Sequence, residues 1–127
     1  MARYLVIRGD RAQLKVELGG GPTAGEIWDR LPLEARTNRW GDEIYFAIPV
    51  SAGPEPEARE VVEVGDVGYW PQGNALCLFF GPTPASVDEK PTAASPVTVV
   101  GKIVEGLDWA RLVESAETLR VEAAEEG

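Results

Sequence analysis

Tyr69-Trp70-Pro71-Gln72-Gly73-Asn74 is the stretch of this chain best suited to holding a ligand. Two consecutive aromatics point to opposite faces of a strand, and Tyr and Trp each join an apolar body to a hydrogen-bonding tip. The competing use of the same rings is packing, with one inside the fold and the other over the proline-rich stretch 81–96. Tyr45 and Phe46 alternate in the same way: one faces the core, leaving the other to line the same groove. Phe80 closes the most apolar run of the chain. The remaining chemistry is limited, because there is no histidine and only one cysteine. Ser-His-Asp and Cys-His catalysis are excluded, as are Cys/His zinc sites and any disulfide within the chain.

Other reactive side chains carry weaker signals. Cys77 lies inside the apolar run Ala75–Phe80, where a thiol behaves as a small hydrophobe rather than a nucleophile. Asp42-Glu43 and Asp66 suggest acid-base or metal chemistry, but acidic residues beside glycine favour turns. Paired-carboxylate catalysis also needs two groups converging on one bond, which adjacency in sequence does not provide. Gly19-Gly20-Gly21 precedes a helix without the lysine and glycine spacing of a phosphate loop, and is read as a connector. No metal and no cofactor is expected.

The elements that must position these residues follow from periodicity. Residues 3–8 form a short apolar run, and Gly9-Asp10 a turn. Ala12, Leu14, Val16 and Leu18 then alternate with polar residues, which predicts a strand pair. Thr23 and Glu26 have the spacing of a capping box, and Ala24, Ile27, Trp28 and Leu31 share one helical face before Pro32. Strands are expected around Leu33–Asn38 and at Ile44–Ile48, with Ile44, Phe46 and Ile48 on one side. Residues 51–60 are acidic, proline-bearing and read as an exposed loop. Strands follow at Val61–Val64, Val67–Trp70 and Ala75–Phe80, the last suited to burial on both faces. Residues 81–96 read as a long loop. A strand at Val97–Glu105 leads to a second helix capped by Asp108, with Trp109, Leu112, Val113 and Ala116 as its apolar stripe. Trp28 and Trp109 are expected to plug the ends of the fold, and Trp40 to anchor a loop. Leu119, Val121 and Ala123 define a closing strand, and Glu125-Glu126-Gly127 is expected to fray.

A chain of 127 residues makes a single domain over 1–127 the expectation. Twelve basic against 21 acidic residues give a net charge of −9, and the basic residues do not cluster, which argues against nucleic acid as a partner. The only apolar run near the start, Tyr4 to Ile7, is too short for a signal peptide or a spanning helix. The expectation is a cytoplasmic protein with no membrane partner.

Three segments carry a family resemblance. Val99-Val100-Gly101-Lys102-Ile103-Val104-Glu105-Gly106-Leu107-Asp108, leading to Val113-Glu114-Ser115-Ala116, resembles a cyclophilin segment; so do Asn74–Phe80 and Ile44–Pro49. GDEIYF together with VGDVGYWPQGNALCLFFGPTP is similar to small bacterial and archaeal cyclophilin-like proteins of unknown function. The resemblance implies a mainly β fold, a closed eight-stranded antiparallel barrel capped by two short α-helices. It also implies a groove lined by Tyr45, Phe46, Tyr69, Trp70, Asn74 and Phe80. Where the isomerases of that family carry their arginine, this chain has Phe46. Tyr45 and Val97 replace histidines, and Leu78 replaces a glutamine, while Phe80 remains as a floor for a proline ring. Imide rotation faces a barrier of ~18–20 kcal/mol, lowered by a donor to the imide nitrogen, and that donor is missing.

The leading expectation is therefore a peptide- or small-ligand-binding protein with weak or no prolyl isomerase activity, monomeric or a small homo-oligomer. The alternatives are an isomerase with a non-standard active site and a structural or oligomerisation module.

Overall fold

Alternation of apolar and polar side chains sets the phase of most strands. The structure, a computed structural model, describes residues 3–11 and 13–124; Ala12 on the expected second strand and the expected frayed end 125–127 lie outside the described residues. β1 (Arg3–Arg8) and β2 (Gln13–Leu18) form the expected antiparallel pair, with Leu5 opposite Val16 and Ile7 opposite Leu14. These four are buried. α1 (Pro22–Asp29) begins with Pro22, whose missing N–H is not needed in a first turn. Ala24 and Ile27 are buried, and Trp28 packs half-buried beneath the Arg3 guanidinium.

The expected capping box does not form. Gly21 is the cap residue, without a side-chain bond of its own, and the Thr23 N–H donates to Glu55 Oε2 at 3.0 Å. A carboxylate from the acidic stretch 51–60 thus serves the helix start, where free amides and the helix dipole favour an anion.

The other strands are β3 (Leu33–Arg36), β4 (Asn38–Trp40), β5 (Glu43–Ala47), β6 (Arg59–Val61), β7 (Asp66–Trp70), β8 (Ala75–Phe79), β9 (Thr92–Glu105) and β10 (Thr118–Ala123). They join in the order β3-β10-β1-β2-β9-β7-β8-β5-β4, with β6 added to β9. The protein is mainly β with an antiparallel sheet whose hydrogen-bonded path does not close. This differs from the eight-stranded closed barrel in strand count as well, with ten strands among the described residues. One expected strand, Leu33–Asn38, divides at Thr37: β3 pairs with β10 and β4 with β5. Thr37 is held there by the opposite segment, its N–H donating to the Glu117 carbonyl and its hydroxyl to the Glu114 carbonyl.

Nor is the second helix α-helical. Leu107–Leu112 is a 3₁₀ segment entered through Gly106, whose φ of 85° suits glycine. With three residues per turn, Leu107, Ala110 and Val113 face inward, and Trp109 and Leu112 are turned out to solvent at 54% and 42% exposure. Trp109 therefore plugs nothing. The stripe assigned by a 3.6-residue period was one for the wrong helix type.

β9 begins earlier than its sequence suggests, running through Pro96. The β6–β9 register shifts between Arg59 opposite Val97 and Val61 opposite Thr92, and that irregularity accommodates a residue with no N–H to give. As expected, β8 is buried throughout. Leu76 and Leu78 enter the main core with Phe46, Tyr69 and Phe80, whereas Cys77 and Phe79 join Val62, Ala93 and Val97 in a smaller cluster on the opposite face.

Candidate functional site

The smaller cluster leads into a cavity of about 240 Å³. Its walls come from period-two geometry. Tyr45 lies opposite Cys77 in the β5–β8 ladder, and Glu43, two residues before Tyr45, projects from the same face. Trp40 pairs with Glu43 in the β4–β5 ladder. Trp70 enters from β7, and Ala93, Ala94 and Val97 from the early part of β9 complete the lining.

The aromatic walls are fixed in place. Tyr45 and Trp70 meet edge to face, with ring centroids 6.0 Å apart and planes at 80°, a favoured aromatic geometry. The Trp70 indole N–H donates to Ser95 Oγ at 2.6 Å, which ties the ring to β9. Gly68, opposite Cys77, makes the close approach possible: a Cβ there would lie 2.9 Å from Val97 Cγ2 and 3.3 Å from Phe79.

Glu43 is the exceptional group. Only 5% exposed, its Oε1 has no hydrogen-bond partner, and among the described residues it forms no ion pair with any lysine or arginine. Burial pushes its pKa up from 4.5 to about 7, opposed by the Cys77 thiol as a hydrogen-bond donor. Burial pushes the Cys77 pKa well up in turn, helped by the charge and hydrogen bond of Glu43. Cys77 is therefore a protonated thiol at neutral pH. The other carboxylates of the acidic reading are taken up by turn hydrogen bonds and ion pairs. Asp66 Oδ2 accepts from the Glu63 N–H at 2.9 Å and faces Arg59 at 3.7 Å. Asp42 pairs with Arg39 and Arg111, both at 3.5 Å.

Of the six groove residues expected from the sequence, the structure brings Tyr45 and Trp70 together in the cavity. Phe46 and Tyr69 are completely buried in the main core. The Tyr69 hydroxyl donates to the Val50 carbonyl at 2.6 Å, accepts from the Ala52 N–H at 3.2 Å and lies 3.2 Å from Asn74 Oδ1. Asn74 itself takes the left-handed conformation that ends the 3₁₀ turn Pro71–Gly73. Phe80 is 2% exposed, with the Arg39 and Arg111 guanidinium groups 5.0 and 5.5 Å from its ring centre.

Trp40, Glu43 and Cys77 were not singled out for this site. The signal for Glu43 was present: if Ile44, Phe46 and Ile48 face the core, Glu43 and Tyr45 share the other face. Its neighbours Gly41 and Asp42 drew it into a turn instead. A second, larger concavity of about 820 Å³ runs past Trp109 and Leu14, but its charged side chains are paired with one another, Arg8 with Glu122 at 3.2 Å and Lys15 with Glu105 at 3.5 Å.

Fold and site together define a small, mainly β domain whose antiparallel sheet carries an aromatic-walled cavity on the face away from its main core. The chain belongs to the cyclophilin-like family, whose model matches residues 3–122. Among solved structures it is similar to the hypothetical protein AF2241 from Archaeoglobus fulgidus, determined in solution. The two are 42% identical, and superpose with a TM-score of 0.83 over 97% of this chain and 95% of that one. No curated protein matches the chain.

Proposed function

We propose that this cyclophilin-like domain binds a small ligand, free or as the side chain of a peptide, in the cavity between Trp40, Tyr45 and Trp70, and has little or no prolyl isomerase activity. The observation that carries this reading is the unpartnered Oε1 of Glu43. Buried polar atoms are almost always hydrogen-bonded, and one left free beside a cavity is suited to an incoming partner. Against isomerase chemistry stands Phe80: the ring that would floor a proline site is buried and covered by two arginines. A finer reading of the fold accompanies this one. The two ends of the sheet path, β3 and β4, are successive stretches joined through Thr37, which supports a barrel-like wrapping around the main core.

A fragment screen by protein-observed NMR tests the binding reading. Hits are expected to move the indole signals of Trp40 and Trp70 and leave those of Trp28 and Trp109 in place. Hits that gather at Trp109 instead would move the site to the larger concavity.

A further inference from the structure

Resting on the reading of this cavity as a binding site, we propose that its ligand is a small organic cation, an ammonium group bearing methyl or methylene substituents, with Glu43 as its counter-ion and Trp40, Tyr45 and Trp70 as its walls. The cavity supplies both halves of this recognition, aromatic rings and a carboxyl group. Trp40, Tyr45 and Trp70 all line the cavity, and Tyr45 and Trp70 are braced there edge to face, so more than one aromatic ring borders a bound cation. Aromatic faces attract cations electrostatically, most strongly once both are removed from water. The Glu43 carboxyl group has an unpartnered Oε1 and, among the described residues, no lysine or arginine paired with it.

Size and charge narrow the ligand further. At about 240 Å³ the cavity is below the ~300–1,000 Å³ of drug-sized sites, which fits a headgroup rather than a nucleotide or an extended peptide. The apolar lining of Ala93, Ala94 and Val97 suits methyl or methylene groups better than a hydrated metal ion. A net charge of −9 on the protein draws cations towards it.

The cavity's own titratable groups make binding sensitive to pH. Cys77 on β8 faces Glu43 and stays protonated at neutral pH, and Tyr45 lines the same wall from β5. Glu43 thus supplies the negative charge, and supplies it fully only above its pKa of about 7. A bound cation favours the ionised carboxylate, so binding near neutral pH releases a proton.

The experiment titrates the full chain with choline and with 3,3-dimethylbutan-1-ol, its uncharged isostere, at pH 6 and pH 8.5, following tryptophan fluorescence. Choline is expected to bind at least about tenfold more tightly than the isostere at pH 8.5, and about tenfold more weakly at pH 6, where Glu43 is mostly protonated. Glu43→Gln should abolish the pH dependence and narrow the gap between the two compounds to what the aromatic walls supply, and Tyr45→Leu should weaken choline without removing the pH dependence. Equal affinity for the two compounds overturns the cation assignment and leaves the cavity a binding site. If neither binds, the assignment and the reading of the cavity fall together. A short peptide carrying one trimethyllysine, titrated in parallel, separates the two sources of such a headgroup: tighter binding than choline marks a protein side chain, weaker binding a free small molecule.

Discussion

The Arg39 guanidinium lies 5.0 Å from the centre of the Phe80 ring and donates to the Gly41, Arg111 and Val113 carbonyls. An arginine beside a phenylalanine is what prolyl isomerisation on this fold leads one to look for, yet these bonds commit the donors of Arg39 to holding the 3₁₀ segment against β4. Wild-type protein is expected to leave the rate of a proline-containing peptide at its spontaneous value in a protease-coupled assay. Acceleration that Phe80→Ala abolishes would overturn this. Arg39→Ala should instead lower folding stability by about 1–3 kcal/mol, since three carbonyls lose a charged donor, as read from denaturant melts.

Glu43 gives the stability an unusual pH dependence. Its pKa is about 7 in the folded chain against an ordinary 4.5, so between those values the folded state holds a proton that the unfolded state has released. Stability from this group is complete below pH 4.5, falls as pH rises through the window, and is flat above 7. The whole shift corresponds to about 3 kcal/mol at most. Glu43→Gln should therefore gain on wild type between pH 4.5 and pH 8, by about 1–3 kcal/mol. A difference between the two proteins that stays constant across urea melts at pH 4.5, 6 and 8 would show that burial does not hold the proton on Glu43.

What was legible in the sequence follows from which signals are local. Alternation placed β2 and β5, unbroken apolar runs placed β1 and β8, and the phase of Ile44, Phe46 and Ile48 was right because each strand's inward set repeats every second residue. Helix type was not legible: Trp109, Leu112 and Val113 satisfy a 3.6-residue stripe, but three residues per turn puts Val113 inside and Trp109 outside. Tertiary partners were also invisible. Glu55 serves a helix 32 residues upstream, and no local motif announces that. Of the site, Tyr45 and Trp70 were visible as strand aromatics. Which of Tyr69 and Trp70 left the core depended on the ladder of β7 with β8 and β9, and the lining residues Ala93 and Ala94 were hidden in a stretch whose prolines argued for a loop.

Gly68→Ala tests whether the cavity depends on close approach of β7 to its cover. The added methyl would stand 2.9 Å from Val97 Cγ2, and Val97 is wholly buried, so it has little room to retreat. Overpacking of this kind costs about 1–3 kcal/mol. The variant should melt earlier than wild type and show altered Trp70 fluorescence. An unchanged melting temperature would mean that the β9 segment is looser than its packing implies.

Tyr69→Phe separates the two consecutive aromatics by function. Tyr69 uses its hydroxyl to tie Val50 and Ala52 to the core, so its loss should destabilise the protein by about 1–2 kcal/mol. The choline titration should not change. Trp70→Leu should do the reverse in kind: it removes a cavity wall, and choline affinity drops at a pH where the variant remains folded by circular dichroism. If Tyr69→Phe weakened choline as much as Trp70→Leu, the assignment of Tyr69 to the core and Trp70 to the cavity would have no functional meaning.

Cys77 offers a chemical readout of the same cavity. Only the thiolate attacks an alkylating reagent, and the thiol is held protonated first by burial and then by the adjacent Glu43 carboxyl. Glu43→Gln removes the charge that opposes thiolate formation while leaving Cys77 buried. The variant should therefore alkylate faster than wild type at pH 8.5, yet far more slowly than unfolded chain, when iodoacetamide incorporation is followed by mass spectrometry. The comparison is informative because the two effects on the rate oppose each other: the substitution is expected to stabilise the fold at this pH, and a more stable fold opens less often. A faster reaction in the more stable protein can come only from the thiol itself or from its access through the cavity. A slower one would mean that Cys77 reacts only when the fold opens, and that Glu43 has no direct hold on it.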